Sequence, residues 1–125
     1  MPFLPPALLA YADQHTAPEP PLLTRLARET HLRVHRARML SGHAQGRLLS
    51  LLSKLIRPRR ILEIGTFTGY SALCLAEGLA PDGELHTIDV NDELAALATR
   101  YFAEAGLADR IHGHWGCPAA DALPD

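Results

Sequence analysis

Residues 60–73, which read RILEIGTFTGYSAL, restrict the possible folds of this chain more than any other segment. The first five residues have the short apolar run of a buried β-strand, and the glycines that follow predict a sharp turn. From Tyr70 the apolar residues follow helical spacing, and we expect this helix to end at Ala80. A second strand is predicted at residues 84–88, with Asp89 at its tip. Such an arrangement is typical of α/β proteins that hold a nucleoside-bearing cofactor.

The segments after Asp89 extend this unit into a partial parallel sheet. Asn91 is expected to cap a helix that runs to Ala105, and Gly106 is expected to end it. A third strand is predicted at residues 110–114. The alternation of strands and helices indicates an α/β fold with a Rossmann-like parallel sheet, right-handed crossovers and the strand order 3-2-1.

The chain divides into a short first segment and a main domain. Residues 1–20 are rich in proline and are expected to cover the surface, with a short helix at residues 7–14. Residues 21–125 form the N-terminal part of a Rossmann-like domain, and its leading helices occupy residues 21–57.

Two leading helices are predicted ahead of the sheet. The first covers residues 21–34, and a turn at residues 39–42 separates it from the second, at residues 43–56, which Pro58 ends. The second helix has a broad apolar stripe at helical spacing. The stripe consists of Leu48, Leu49, Leu51, Leu52, Leu55 and Ile56.

Length and composition favour one globular domain. The chain has 125 residues, of which 47% are hydrophobic, and this is enough to bury a core. Its two cysteines, Cys74 and Cys117, form no disulfide or metal-ligand pattern, so a cytoplasmic location is expected. The N-terminus has no signal-peptide pattern and no apolar run is long enough to cross a bilayer, so no membrane association is predicted.

Positive charge is concentrated ahead of the sheet. Ten of the twelve Lys and Arg residues lie between Arg25 and Arg60, and Glu29 is the only acid among them. Such a region could face RNA or an anionic substrate. It could equally be a solvated helix face or a subunit contact. We favour the second interpretation because no aromatic residues alternate with the charges to stack against bases.

The glycine turn argues against a phosphate-bearing ligand. Gly65 lets the backbone bend sharply and approach a ligand closely. A dinucleotide site needs Gly-x-Gly-x-x-Gly, but Phe67 occupies the second glycine position, and the lysine of a phosphate-binding loop is absent. The turn therefore suits a ligand with adenosine but no phosphate, such as S-adenosylmethionine. Asp89, 24 residues after Gly65, can accept hydrogen bonds from both ribose hydroxyls.

Three other groups of residues are candidate sites. Glu63 lies inside an apolar strand, where a carboxylate is costly unless paired, so we favour a functional role over a purely structural one. The seven histidines include His31 with His35 on one helix face and His112 with His114 on one strand. We interpret them as ordinary histidines and predict no metal site from them. Tyr70 could position a substrate or simply pack.

The segments 61–73 and 87–90 resemble the first two motifs of class I S-adenosylmethionine-dependent methyltransferases. More narrowly, GTFTGYS at 65–71 and MLSG at 39–42 resemble the O-methyltransferases of the catechol and caffeoyl-CoA type, bacterial O-methyltransferase family 3. The resemblance covers residues 22–116. It implies transfer of a methyl group from S-adenosylmethionine to a hydroxyl of a small molecule.

The resemblance also implies which residues hold the cofactor. Ser41 and Gly42 would contact its methionine end, with Met39 near the methyl group. The amino acid moiety would be held by Glu63, Gly65, Thr66 and Ser71, and the ribose by Asp89. The adenine would lie near Pro118, where this chain reads Gly116-Cys117-Pro118-Ala119 and family members read Gly-Asp-Ala or Gly-Pro-Ala.

Family members also bind a divalent metal, expected to be Mg²⁺, through residues on and after a fourth strand, where a lysine assists catalysis. Those positions would follow Asp125, so the catalytic residues of this chain are unknown and a C-terminal truncation is expected. An RNA-modifying enzyme and a non-catalytic cofactor-binding or oligomerisation module remain alternatives. A homodimer is possible, and we expect self-association because the edge of the first strand is left open.

Overall fold

The computed structural model describes residues 3–123. Residues 1–2, at the start of the predicted N-terminal segment, and residues 124–125, at the end of the predicted main domain, lie outside this range. The helices are α1 (Pro6–Gln14), α2 (Pro21–Arg33), α3 (Gly42–Ile56), α4 (Tyr70–Ala76), α5 (Ala95–Glu104) and α6 (Ala119–Ala122), with a 3-10 turn at Ala37–Met39. The strands are β1 (Arg60–Ile64), β2 (Glu84–Asp89) and β3 (Ile111–Trp115).

The three strands form one parallel sheet in the order β1-β2-β3. This confirms the predicted α/β fold and strand order. In the register, Ile64 lies opposite Ile88, and Leu85 lies opposite Ile111. Parallel strands place their carboxyl ends along one edge, so the turns after β1 and β2 meet there.

The core lies between one face of the sheet and the helices that cover it. Helix α4 contacts β2, α5 contacts β3, and α2 contacts both α4 and α5. Leu26 of α2 and Leu85 of β2 are completely buried, and Tyr70 and Phe102 are almost so. The helix predicted at residues 7–14 is confirmed as α1, which has no buried residue.

Two predicted helix boundaries are wrong. Helix α4 ends at Ala76 rather than Ala80, because the amides of Glu77, Gly78 and Leu79 bond three residues back in a tightened turn. Helix α5 begins at Ala95 rather than after Asn91. The Asn91 side chain instead accepts a hydrogen bond from the Glu93 amide at 2.9 Å, which stabilises a turn ahead of the helix.

Helix α3 packs on α4 through small residues rather than through its apolar stripe. Gly46, Ser50 and Ser53 are buried, and the Ser53 hydroxyl donates to the Leu75 carbonyl oxygen at 2.5 Å. Small side chains let the two helices approach closely. Most of the stripe is exposed, up to 73% for Leu55. Helical periodicity identified the helix, but it did not identify the face that is buried.

Several members of the basic cluster pair with acids of this chain. Arg25 lies 3.0 Å from Glu104, and Arg47 lies 3.0 Å from Glu77 at the junction of α3 and α4. Arg100, outside the cluster, bonds Glu29. The Arg25 contact agrees with the interpretation of the cluster as a solvated helix face, because its side chain is 60% exposed. Arg47 differs, since its side chain is only 12% exposed. Among residues 3–123, no helix combines the length and hydropathy needed to span a membrane.

The open edge of β1 carries exposed apolar side chains. Within residues 3–123, β1 pairs only with β2, while Leu62 is 52% and Ile64 is 66% exposed. We expect the chain to self-associate, and we expect Leu62→Lys to reduce this because a charged side chain opposes strand pairing at an edge. Sedimentation velocity over a range of concentrations measures both. A wild-type chain that stays monomeric at high concentration would contradict the expectation.

Candidate cofactor site at the carboxyl ends of the strands

The turn after β1 adopts backbone conformations that its glycines make accessible. Gly65 has φ +100° and Gly69 has φ +94°, both in the region that side chains disfavour. The Gly65 amide donates to the Ile88 carbonyl oxygen at 2.7 Å, which joins the turn to the end of β2. Phe67 lies between Gly65 and Gly69 and has φ 49°, an uncommon conformation for a residue with a side chain. Strain of this kind is often retained at binding sites.

The Asp89 carboxylate faces this turn. Its Oδ2 accepts a hydrogen bond from the Phe67 amide at 2.9 Å, and its Oδ1 accepts one from the Asn91 amide at 3.0 Å. These two bonds fix the orientation of the carboxylate at the end of β2. Each oxygen has a second lone pair, so the group can accept further hydrogen bonds from a ligand.

A hydroxyl network surrounds Glu63 beneath the turn. Ser71 donates to one carboxylate oxygen at 2.5 Å, and Thr87 donates to the other at 2.7 Å. Thr66 and Thr87 share a further hydrogen bond at 2.7 Å. Burial raises the pKa of Glu63 above its ordinary value, and the bonds from Ser71 and Thr87 partly offset this. The site therefore has a partly buried acid directly behind the first turn of α4.

Two adjoining cavities flank the turn, and Met39 and Phe67 line both. The smaller lies between the start of α3 and the start of α4, and its remaining lining residues are Leu40, Ser41, Gly65, Thr66, Tyr70 and Ser71. The larger, of about 620 Å³, is lined also by Arg33, Val34, His35, Arg36, Asp89, Asn91, Glu93 and Leu94. The larger volume falls within the range of small-molecule sites.

Most of the residues predicted to hold the cofactor meet at these cavities. Met39, Ser41, Gly65, Thr66 and Ser71 line the smaller cavity, and Asp89 lines the larger.

Three predicted residues lie outside the two linings. Gly42 begins α3 beside Ser41, and Glu63 lies behind Ser71, one hydrogen bond away. Pro118 precedes α6 and lines neither cavity. Its contact with the adenine stays a prediction.

Several residues of the site were not selected from the sequence. Thr87 is completely buried and links Glu63 to Thr66. Its only signal was its position two residues after Leu85, which places both side chains on the same face of β2. Arg36, with φ 59°, belongs to the loop after α2 and lines the larger cavity together with Asp89. The sequence placed it in the basic cluster without distinguishing it from its neighbours.

Tyr70 has a packing role in this structure. Its side chain is 2% exposed, and its hydroxyl donates to Glu19 at 2.5 Å. Burial and the nearby Glu19 carboxylate raise the Tyr70 pKa well above its ordinary value. The residue also lines the smaller cavity and anchors the segment before α2.

Asp89, Asn91 and Glu93 line the larger cavity and offer oxygen atoms, but the described acids and histidines there do not come close enough together to share an ion. Mg²⁺ prefers several oxygen ligands in octahedral geometry, so these side chains do not form a site for it. Within residues 3–123, the one group of three or more potential ligands is Glu84, His86 and His112. These residues lie on the sheet rather than at the cavities, and two of them offer nitrogen. No catalytic step through Mg²⁺ can be derived from these residues.

The parallel sheet, the glycine turn and the carboxylate that faces it are features of Rossmann-like methyltransferases. A sequence profile of the O-methyltransferase family matches residues 13–124, and the chain belongs to that family.

The chain is 42% identical over 80 residues to the catechol O-methyltransferase of Mycobacterium tuberculosis, a match that covers 64% of this chain and 36% of the relative. It is 31% identical over 104 residues to the catechol O-methyltransferase of Mus musculus, and this match covers 83% of this chain and 39% of the relative. The solved O-methyltransferase TomG from Streptomyces achromogenes, in complex with SAM, has a TM-score of 0.82 and 38% identity, covering 94% of this chain and 52% of that chain. This chain thus spans about half or less of these proteins.

Proposed function

We propose that this chain binds S-adenosylmethionine at the two cavities and forms the methyl-donor-binding part of an O-methyltransferase that acts on a hydroxyl of a small molecule. The observation that carries the proposal is the Asp89 carboxylate, which accepts the Phe67 amide beside the glycine turn. A carboxylate held there can accept hydrogen bonds from both hydroxyls of a ribose.

The ribose and the methionine part of the cofactor have matching groups. Asp89 would bind the ribose. At the turn, the Gly65 amide is engaged by Ile88, so the Thr66 amide would be the backbone donor to the carboxylate of the amino acid moiety. Glu63 would place negative charge near the ammonium, with Ser71 between them. Ser41 and Met39, which line the smaller cavity, would contact the methionine chain, and Gly42 would let the backbone approach it.

The remaining role of these residues is orientation. Bound S-adenosylmethionine supplies an electrophilic methyl group on its sulfonium. Binding the amino acid moiety at the smaller cavity and the ribose at the larger one would limit the positions that this methyl group can take. Restricted geometry of that kind accounts for a large part of the rate enhancement in group transfer. The acceptor would lie in the larger cavity, beside Met39.

Ligand selectivity tests the proposal. In calorimetric titrations of the chain, S-adenosylmethionine and S-adenosylhomocysteine should bind with a stoichiometry of one. NAD⁺ and ATP should bind far more weakly, because Phe67 replaces the glycine that a pyrophosphate requires. Tighter binding of NAD⁺ or ATP, or no binding of the two sulfur nucleosides, would overturn the proposal.

The raised pKa of Glu63 predicts a pH dependence of cofactor affinity. The ammonium group of S-adenosylmethionine is attracted by the ionised form of Glu63. The affinity for the cofactor should therefore be highest at pH values above the raised pKa of Glu63. It should fall as the pH drops through that value, by up to roughly tenfold for each pH unit. The loss should begin at a higher pH than an ordinary glutamate would give. Calorimetry across the acidic range measures this.

Two variants identify the group responsible for that loss. Glu63→Gln should bind S-adenosylmethionine more weakly at neutral pH and should lose the acidic decline. Glu93→Gln changes an exposed carboxylate at the larger cavity, and this variant should still lose affinity at acidic pH as the wild type does. An unchanged decline in Glu63→Gln would assign the effect to another group.

A further inference from the structure

The second face of the sheet carries a cluster of histidines and one glutamate, away from the cofactor cavities. Glu84 and His86 lie two residues apart on β2, and His112 and His114 lie two residues apart on β3. In the register His86 lies opposite His112, and Ile88 lies opposite His114. Because side chains two residues apart share a face of a strand, these four project to one side of the sheet. The buried Leu85 and Thr87 of β2 project to the other side.

Three of these side chains have the spacing of metal ligands. The Nε2 of His86 lies 3.4 Å from one Glu84 oxygen, and the Nε2 of His112 lies 3.4 Å from the other. The ligand atoms all lie within 4.8 Å of one another. Two ligands on a tetrahedral Zn²⁺ ion, with bonds of about 2.0–2.1 Å, stand about 3.3–3.4 Å apart. Each histidine nitrogen has this spacing from one of the two Glu84 oxygens, so a His₂Glu site needs the three ligand atoms to close from within 4.8 Å of one another to that spacing.

His114 is placed to orient one of the ligands. Its Nε2 lies 3.0 Å from the Nδ1 of His86, and the two rings are stacked. When His86 Nδ1 carries the proton and donates to His114, the Nε2 of His86 is left free to bind a metal. Histidines that bind metals usually donate their second nitrogen to a neighbouring acceptor in this way.

The surroundings leave the cluster available to an ion. Within residues 3–123, the ion-pair partners of Glu84 are His86 and His112. Two nearby cations are engaged elsewhere, since Arg59 pairs with Asp82 and Arg110 bonds the Gly83 carbonyl oxygen. Arg60 lies opposite Glu84 in the strand register and borders the same groove, but within residues 3–123 it forms no ion pair with Glu84.

The cluster is also open to solvent. The side chains of Glu84, His86 and His112 are 39–45% exposed. An open groove of about 410 Å³ borders Glu84, His86 and His114 and would admit an ion and a water molecule.

We propose that Glu84, His86 and His112 bind a divalent transition-metal ion of the Zn²⁺ class, with His114 as a positioning residue and one coordination position left to water. This departs from our interpretation of the histidines as ordinary residues. The site differs from the expected Mg²⁺ site in place and in ligand chemistry, because imidazole nitrogen suits Zn²⁺ and its neighbours rather than Mg²⁺. A bound ion would link β2 to β3 on a face of the sheet that is partly open.

Zn²⁺ titration of the full chain against a chromophoric chelator tests the proposal. The wild type should bind one Zn²⁺ and should not bind Mg²⁺ at the same concentration. The double variant His86→Ala/His112→Ala should lose this binding, and His114→Ala should weaken it by roughly 10- to 100-fold. The matched control His15→Ala/His31→Ala should bind as the wild type does, since both residues are exposed and bond only their own helices.

Two further readouts separate loss of the site from loss of folding. Circular dichroism should show that each variant remains folded. Saturating Zn²⁺ should raise the Tm of the wild type and of the control, but not of His86→Ala/His112→Ala, because only a ligand that binds the native state stabilises it. Equal Zn²⁺ affinity in the wild type and in folded His86→Ala/His112→Ala would overturn the proposal. A loss confined to His15→Ala/His31→Ala would overturn it as well.

Discussion

Replacing Asp89 by alanine is expected to weaken S-adenosylmethionine binding by roughly 100-fold or more. The carboxylate would accept two hydrogen bonds from the ribose, and a hydrogen bond to a charged group contributes about 1.5–3 kcal/mol. A loss of about 3 kcal/mol corresponds to a factor of roughly 100 in affinity. The alanine also leaves the Phe67 amide without its present acceptor, so the glycine turn should become less ordered. Isothermal titration calorimetry measures the change.

A nearby acid provides the matched control. Asp92→Ala removes the same charge from an exposed position three residues along the chain that lines neither cavity. Its affinity should remain within a few-fold of the wild type. Asp89→Asn, which keeps one acceptor oxygen, should bind with intermediate affinity. If Asp89→Ala and Asp92→Ala bound equally well while both were folded, Asp89 would have no role in the site.

Replacing Gly78 by alanine is expected to produce the largest loss of stability among the glycine positions of the α3–α4 junction. A Cβ at Gly78 would lie 2.2 Å from the carbonyl carbon of Ser53 and 2.4 Å from the amide nitrogen of Lys54. These are backbone atoms, so a rotamer change cannot relieve the clash, and α3 must move away from the turn that follows α4. Overpacking of this kind costs about 3 kcal/mol. That would lower the Tm by roughly 10 °C in a domain of this size.

Gly106→Ala separates steric cost from conformational cost. A Cβ at Gly106 would meet nothing within 4 Å, but its φ of +74° disfavours a side chain. This variant should lose about 1 kcal/mol from backbone strain alone. Thermal or urea unfolding compares the two variants. If Gly78→Ala were no less stable than Gly106→Ala, the close contact between α3 and α4 would not contribute as the structure indicates.

The sequence predicted the region around the glycine turn well because several local signals agree there. An apolar run, two glycines and a helical period specify β1, the turn and the start of α4 almost independently of the rest of the chain. The bounds of β1 were predicted to the residue. The strand order also followed, since short connections between parallel strands allow few alternatives.

The features that were missed depend on contacts between distant segments. The buried face of α3 is set by Gly46 and Ser50 against α4, and a count of leucines on the helix does not reveal it. The hydrogen bond from Thr87 to Glu63 depends on the pairing of β2 with β1, which the local sequence does not reveal. The histidine cluster has the same origin, because Glu84 and His112 come together across the strand register.

The position of the bound nucleoside tests the central claim most directly. In ¹H–¹⁵N correlation spectra of the chain titrated with S-adenosylhomocysteine, the largest shift changes should occur at the amides of Gly65, Thr66, Phe67 and Asn91. The amides of Glu84 and His112, near the amino ends of β2 and β3 and away from the glycine turn, should remain near their starting positions. Saturable changes that avoid the glycine turn, or no change at millimolar ligand, would contradict the account.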